Sequence, residues 1–166
     1  MKYIIFIVFA TLLLGFGIYS TRQTEPAKKE NVVADTTESV NRITLDLSEK
    51  GLTEVPQYFF NRVEIEVLDL SNNNLTGALQ AEVRHLENLK VLDLSNNQFT
   101  GVPAEIGQLQ KLEVLDLSDN NLTGLPHELG NLTNLKLLDI SGNNYSKQDV
   151  SIIRNTLPGS VFIKVE

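Results

Sequence analysis

Cysteine and tryptophan are both absent from this chain of 166 residues, and histidine occurs only twice. The lack of cysteine excludes a disulfide framework, a thiolate metal site and a cysteine nucleophile. Basic side chains are also scarce: 21 acidic residues stand against 14 basic ones, for a formal net charge of −7. Because binding to the phosphates of duplex nucleic acid needs clustered Lys and Arg, this balance argues against a nucleic-acid partner. The composition favours a module that binds or supports other molecules over an enzyme, and it indicates no cofactor.

The first twenty residues carry a single charged side chain, Lys2, followed by an apolar run from Tyr3 to Tyr19. The apolar core of a signal peptide is usually about 7–15 residues long, whereas a membrane-spanning helix needs roughly 17–25. By the positive-inside tendency, Lys2 stays in the cytoplasm and the rest of the chain is directed outward. We interpret residues 1–20 as an export segment. It is either a retained transmembrane anchor or a cleaved signal, which would give a secreted or periplasmic product.

Residues 21–40 are rich in Thr, Glu, Lys and Ala and show no sustained apolar period. Such a segment cannot bury enough apolar surface to offset the entropy lost on ordering. We therefore predict a flexible linker between the apolar terminus and the remainder of the chain. Residues 41–166 hold 17 acidic and 10 basic side chains, so the whole negative excess lies there.

A motif of eight residues recurs five times after residue 41. Aligned on one aspartate, the copies are separated by 23, 24, 23 and 23 residues. The copies are LDLSEKGL (45–52), LDLSNNNL (68–75), LDLSNNQF (92–99), LDLSDNNL (115–122) and LDISGNNY (138–145). In Leu-x-Leu two apolar residues flank a polar one, which is the period-two signature of a strand with one buried face. One such strand cannot bury that face alone, so neighbouring repeats are expected to stack into a parallel sheet.

This pattern resembles the leucine-rich repeat family, whose core is Leu-x-x-Leu-x-Leu-x-x-Asn-x-Leu, in a short array typical of bacterial members. The resemblance implies an α/β solenoid. Its arc has a parallel β-sheet on the concave face, short helical turns on the convex face, and a C-terminal helix–strand cap. We assign residues 41–166 to this domain, with about five repeats.

The ends of the array depart from the consensus, as capping repeats must. Arg42 stands at the leading Leu position of the first repeat and Lys50 at its Asn position. At the other end, Ser146 and Asp149 are placed like a capping box before a helix that ends at Pro158-Gly159. Alternating Val161, Ile163 and Val165 predict a final edge strand.

Two further features are expected to be structural. An Asn recurs where each strand ends, and its amide can satisfy backbone groups that the turn leaves unpaired. This Asn ladder comprises Asn73, Asn97, Asn120 and Asn143. Pro103 and Pro126 each open a short helical turn that we expect to stop near Gly107 or Gly130. The second repeat has one extra residue in Thr76-Gly77-Ala78-Leu79-Gln80 and lacks the Pro, which predicts a longer convex turn.

The concave face is the best candidate binding site, because solenoids bind through that extended surface. The residues between the inward leucines form columns that hold no aromatic anchor. The predicted partner-binding residues are Val67, Val91 and Val114; Asp46, Asp69, Asp93, Asp116 and Asp139; Ser71, Ser95 and Ser118; and Asn72, Asn96 and Asp119. Five carboxylates on adjacent strands, spaced by about 4.8 Å, could attract a basic peptide or a cation, or could have some of their pKa values raised by mutual repulsion. The simpler explanation is that Asp and Ser hydrogen-bond one another as ordinary strand filler.

No arrangement of residues predicts catalysis or metal binding. His85 and His127 are isolated on predicted convex turns, and no nucleophile motif or phosphate loop occurs. We therefore predict an exported, membrane-tethered interaction module that binds a protein or peptide, of basic character, through its concave face. The alternatives are a structural envelope protein without a dedicated ligand and a glycan-binding surface protein. The sequence indicates no oligomeric state.

Overall fold

The computed structural model describes residues 43–166, which lie within one compact unit, Ser39–Glu166. The predicted export segment, residues 1–20, the linker, residues 21–40, and the polar residue Arg42 lie outside the described residues. No helix between residues 43 and 166 has the length and apolarity of a membrane span.

The described chain is a leucine-rich arc with the predicted parallel sheet. Each repeat motif contributes a short strand. In β2, β4 and β6 the first Leu is buried and the residues on either side of it are less buried. The strands of this main sheet are β1 (Thr44–Asp46), β2 (Val67–Asp69), β4 (Val91–Asp93), β6 (Val114–Asp116), β7 (Leu137–Asp139) and β8 (Phe162–Lys164). They pair in that order, all in parallel. The register is constant, so equivalent residues of successive repeats lie side by side.

Short 3₁₀ helices form the opposite side of each repeat: Gln57–Asn61, Ala81–His85, Ala104–Gln108 and His127–Asn131. Three of them follow a Pro with extended backbone, which suits a residue with a fixed φ and no N–H to satisfy. The turns end near Gly107 and Gly130, as predicted: each helix finishes one residue after its glycine. Both glycines lie inside the 3₁₀ helix and are buried. A Cβ on Gly107 would collide with the backbone carbonyl of Glu128 in the next repeat, so close packing between repeats requires the glycine.

The core is one continuous apolar column between the sheet and the 3₁₀ helices. Each repeat supplies the same set of side chains, which in the third repeat are Leu89, Leu92, Leu94 and Phe99, all at most 1% exposed. Burying one such side chain stabilises the fold by about 1.5–3 kcal/mol. The motif therefore specifies the fold through its apolar positions.

The segment of the second repeat that holds its extra residue includes an additional strand. Strands β3 (Thr76–Ala78) and β5 (Gln98–Gly101) pair in parallel as a second, two-stranded sheet. The register shifts between Gly77 and Ala78, which pair with Phe99 and Gly101, so Thr100 of β5 has no register partner in β3. The predicted longer turn is thus ordered by backbone pairing to the next repeat.

The C-terminal cap consists of α1 (Lys147–Thr156) and β8. The Ser146 side chain accepts a hydrogen bond from Gln148 N at 3.1 Å. Asp149 does not complete a capping box, because its Oδ2 accepts a hydrogen bond from Leu125 N of the preceding repeat, at 3.1 Å. In β8 only Ile163 is buried, so the residues on either side of it face the opposite surface.

Candidate functional site

The open surface of the main sheet carries two parallel rows of side chains. In β2, β4, β6 and β7 the residue before the buried Leu, and in β8 the residue before the buried Ile163, form the apolar row: Val67, Val91, Val114, Leu137 and Phe162. The residue after the central Leu of β1, β2, β4, β6 and β7 forms the acidic row: Asp46, Asp69, Asp93, Asp116 and Asp139. The register brings together the valines and aspartates that the sequence predicted.

The expectation that this face holds no aromatic side chain is wrong. Phe162 is the register partner of Leu137 and is 64% exposed. Its neighbour Ile163 is buried against the core, so Phe162 points to the same side as the apolar row. Sequence reasoning missed it because the cap strand belongs to no repeat and its register cannot be aligned on the motif.

Each carboxylate of the acidic row is held by the Ser two residues later. In four of the five repeats the Ser backbone N–H and hydroxyl both donate to the same oxygen, Oδ1. For Asp93 these two distances are 2.9 and 2.7 Å. In the second repeat only Ser71 N donates to Asp69, at 2.9 Å, and the Ser71 hydroxyl accepts from Asn72. Asp and Ser therefore pair, as the simpler sequence interpretation expects.

The predicted serines are themselves inaccessible. Ser71, Ser95 and Ser118 are 5–7% exposed. They fix the orientation of the carboxylates and offer a partner little surface. Within the described residues, only Oδ1 of Asp69, Asp93 and Asp116 accepts a hydrogen bond, and their Oδ2 atoms have no hydrogen-bond partner.

The acidic row ends in a positive charge. Lys164 is the register partner of Asp139, and its Nζ donates to Asp139 Oδ2 at 2.8 Å. Asp139 is only 6% exposed. Lys164 is a second residue of this face that sequence reasoning missed, for the same reason as Phe162.

The carboxyl pKa values differ along the row. Burial raises the pKa of Asp93 above its ordinary value, against the hydrogen bonds from Ser95, and the charges of Asp116 and Asp69 add to the rise. Burial also acts on Asp139, but the hydrogen bonds from Lys164 and Ser141 outweigh it and lower the pKa. The hydrogen bonds from Ser48 lower the pKa of Asp46. Repulsion between neighbours, the cause expected from the sequence, is thus the smaller contribution at Asp93 and does not dominate at either end.

Next to the serines, the chain leaves each strand through a residue in the left-handed region. Positive φ angles of 51–67° occur at Glu49, Asn72, Asn96, Asp119 and Gly142. The three of these that were predicted to bind a partner, Asn72, Asn96 and Asp119, are exposed. They lie at the margin of the concave surface beyond the acidic row.

The Asn ladder lies beneath this margin and connects the repeats. The Asn97 amide donates to the carbonyls of Leu70, Leu94 and Ser95 at 2.9–3.2 Å, and its Oδ1 accepts from Leu75 N at 3.1 Å. Asn73, Asn120 and Asn143 make equivalent bonds. Asn97 is 7% exposed, so its contacts are structural.

A charged row that the sequence reading overlooked borders the other side of the apolar row. It consists of Glu66, Lys90, Glu113 and Lys136, one residue before each Val or Leu. Lys90 Nζ lies 2.9 Å from Glu66 Oε2, and Lys136 Nζ lies 2.8 Å from Glu113 Oε2. The strict alternation of sign in this column was visible in the sequence. These charges are satisfied by ion pairs between repeats.

The histidines form no catalytic or metal site in the described part of the chain. His127 Nε2 lies 3.5 Å from Asp149 Oδ1, so His127 is not isolated as the sequence suggested, but no nucleophile completes the pair. Residues 43–166 contain no group of three or more potential metal-ligating side chains.

The family follows from both fold and sequence. A model of the leucine-rich repeat region matches residues 55–153, and the chain belongs to the leucine-rich repeat family. No curated protein matches its sequence.

Solved structures of the same family resemble the chain. A leucine-rich repeat protein of Leptospira interrogans is 31% identical, with a TM-score of 0.62, over 74% of this chain and 36% of that one. The ectodomain of the receptor kinase SOBIR1 from Arabidopsis thaliana is 34% identical, with a TM-score of 0.60, over 80% of this chain and 73% of that one. The plant peptide hormone receptor RGFR1, solved in complex with RGF2, is 37% identical, with a TM-score of 0.60, over 69% of this chain and 19% of that one. The chain thus spans about a third of the Leptospira protein and a fifth of RGFR1.

Proposed function

We propose that this protein is an interaction module whose concave face binds a protein segment or peptide of basic character. One observation carries the proposal: an apolar row and an acidic row run side by side across the open surface of the sheet. An extended segment laid across the strands would cover the valines with apolar side chains. Its Lys or Arg side chains would reach the Oδ2 atoms of Asp69, Asp93 and Asp116.

The energetics of this face favour a ligand with both kinds of side chain. Exposed ion pairs contribute only about 0.2–1 kcal/mol each, so the acidic row alone gives weak attraction. Apolar area removed from water adds about 25 cal/mol per Å². The binding of a peptide hormone by RGFR1 supports the use of this fold for peptide recognition. No residue cluster in the described chain supports an enzymatic role.

Selection from a random peptide display library against the full-length chain tests the proposal. Enriched peptides should combine Lys or Arg with apolar residues. The variant Asp69→Asn/Asp93→Asn/Asp116→Asn should bind them about tenfold less tightly, the equivalent of about 1.4 kcal/mol. The matched control, Glu82→Gln/Glu87→Gln/Glu128→Gln, removes three exposed charges away from the concave face and should leave affinity unchanged.

Two outcomes would contradict this function. One is the absence of any enriched peptide. The other is an equal loss of affinity in the two triple variants, which would show a response to net charge and not to the concave face.

A structural role without a dedicated ligand is the second candidate. It is favoured by the Asp–Ser hydrogen bonds, which give Oδ1 of each carboxylate an internal, structural role. If this role is the correct one, peptides with and without basic residues will be recovered equally.

We also propose that the module is exported and held at a membrane by residues 1–20. The charge-free apolar run after Lys2 supports export, and the ectodomain character of SOBIR1 is consistent with a domain outside the membrane. Cell fractionation with N-terminal sequencing tests this. A membrane-bound chain that retains residue 1 or 2 is expected, whereas a soluble product beginning near residue 18 or 21 would show a cleaved signal.

A further inference from the structure

We propose that the concave face fixes the placement of its peptide: an apolar side chain lies over Leu137 and Phe162, and a basic side chain lies over Asp69, Asp93 and Asp116. This inference rests on the proposed function and specifies the order and spacing of the ligand's side chains.

Phe162 provides the apolar end. It extends the apolar row by one strand and is 64% exposed. It is the one aromatic side chain in the apolar row and the acidic row. Large aromatic side chains are enriched among residues that dominate binding energy, since they bury much area at small entropic cost. An apolar ligand residue therefore gains most at the β7–β8 end.

Lys164 excludes a basic residue from that same end. Its Nζ forms an ion pair with Asp139 Oδ2 at 2.8 Å. The Lys164 side chain is 48% exposed, whereas that of Asp139 is 9% exposed. An incoming cation at β8 would meet a positive charge and a carboxylate that is already paired. Within the described residues, the acidic row offers unpaired Oδ2 atoms only from β6 back to β1.

The strand spacing sets the distance between the two ligand side chains. Adjacent strands lie about 4.8 Å apart, so the three intervals from β4 to β8 span about 14 Å. An extended chain advances about 3.3–3.6 Å per residue. A basic residue over Asp93 and an apolar residue over Phe162 are therefore about four residues apart.

Two labelled synthetic peptides of identical composition test this placement. Both contain one Leu and two adjacent Arg residues in a Gly/Ser background. In one, the nearer Arg is four residues from the Leu; in the other, it is adjacent to the Leu. Fluorescence anisotropy with the full-length chain, in non-ionic detergent at low salt, should give at least about fivefold tighter binding for the spaced peptide.

Variants of the two end residues then identify the cause of the preference. Lys164→Gln removes the partner of Asp139, so the adjacent-Arg peptide should gain affinity. The ratio of the affinities of the spaced and adjacent peptides should then fall toward one. Lys164→Arg keeps the charge and should retain the preference. Phe162→Ala should weaken the spaced peptide, but it should not weaken a version in which Ser replaces Leu.

The outcomes separate this inference from the proposed function. Peptides that bind without regard to spacing, and without a response to Lys164→Gln, overturn the placement and leave concave-face binding intact. If neither peptide binds any variant, both proposals fail. Thermal unfolding verifies that each variant is folded; should Lys164→Gln not fold, the spacing comparison and Phe162→Ala still decide.

Discussion

Nζ of Lys164 lies 2.8 Å from Oδ2 of Asp139, and the two residues are register partners on neighbouring strands. Lys164 thus occupies the position that an Asp occupies in every preceding strand of the main sheet. The cap therefore does two things at once: Ile163 covers the last apolar layer, and Lys164 neutralises the last carboxylate.

The Lys164–Asp139 ion pair predicts that Asp→Asn substitution has opposite effects on stability at Asp139 and at Asp93. The pKa of Asp139 is lowered in the fold, so its charge stabilises the protein above the unfolded pKa of about 3.9. This stability is lost as the pH falls through the lower, folded pKa. Asp139→Asn should therefore destabilise the protein at pH 7, by about 1 kcal/mol.

The pKa of Asp93 is raised, mainly by burial and further by Asp116 and Asp69. Its ionisation therefore costs stability as the pH rises from the unfolded pKa through the folded one. In Asp93→Asn, Oδ1 can still accept the hydrogen bonds of Ser95. This variant should be more stable at pH 7 by about 0.5 kcal/mol, with the gain disappearing near pH 4.

Urea unfolding of both variants between pH 3 and pH 8 measures these differences. Destabilisation by Asp93→Asn at pH 7, or a neutral result for Asp139→Asn, would contradict the assignment of roles within the row.

The Asn ladder predicts a large loss of stability at a buried polar position. Asn97→Ala removes one acceptor and three donated bonds, leaving backbone groups unpaired in the interior. Each unsatisfied buried group costs about 1–3 kcal/mol, and we expect a total of about 3 kcal/mol. Thermal and urea unfolding measure it. The control is Asn121→Ala, at an exposed side chain, which should change stability by less than about 0.5 kcal/mol; similar losses in the two variants would refute a structural role for the ladder.

Close packing of the 3₁₀ helices predicts that Gly107 does not tolerate even a methyl group. A Cβ there would lie 2.9 Å from the carbonyl carbon and the Cβ of Glu128, atoms that move only with the backbone. Gly107→Ala should destabilise the protein by about 1–3 kcal/mol. A Cβ on Gly159 meets nothing within 4 Å, so Gly159→Ala should unfold at the wild-type temperature. A Gly107→Ala protein as stable as Gly159→Ala would show that the repeats can separate.

Much of the fold could be predicted from the sequence because the repeat itself encodes the register. Any residue at a fixed offset from one Asp must neighbour its counterparts at the same offset, and Val67, Val91 and Val114 are in line for that reason. The buried leucines and the ladder asparagines follow from the same periodicity.

The charged row of Glu66, Lys90, Glu113 and Lys136 follows the repeat and could have been predicted from it. The other positions that were not predicted lie where the periodicity stops. Phe162 and Lys164 join the two rows through strand pairing of a segment that has no Leu-Asp-Leu motif, so offset counting cannot place them. Thr76–Ala78 becomes a strand because it pairs with the following repeat, a tertiary effect that local sequence does not contain. The burial that raises the Asp93 pKa likewise depends on the stacked neighbours, not on the residue's own repeat.

Because the register of the main sheet is constant, the length of the two rows is set by the number of repeats. Duplication of one whole repeat between β2 and β7 would lengthen the apolar and acidic rows by one strand spacing, about 4.8 Å, and would leave the aromatic and cationic terminus unchanged. Recognition length and end chemistry are thus separate variables in this architecture. An evolving or engineered chain could alter the first by gene duplication and the second by point substitution.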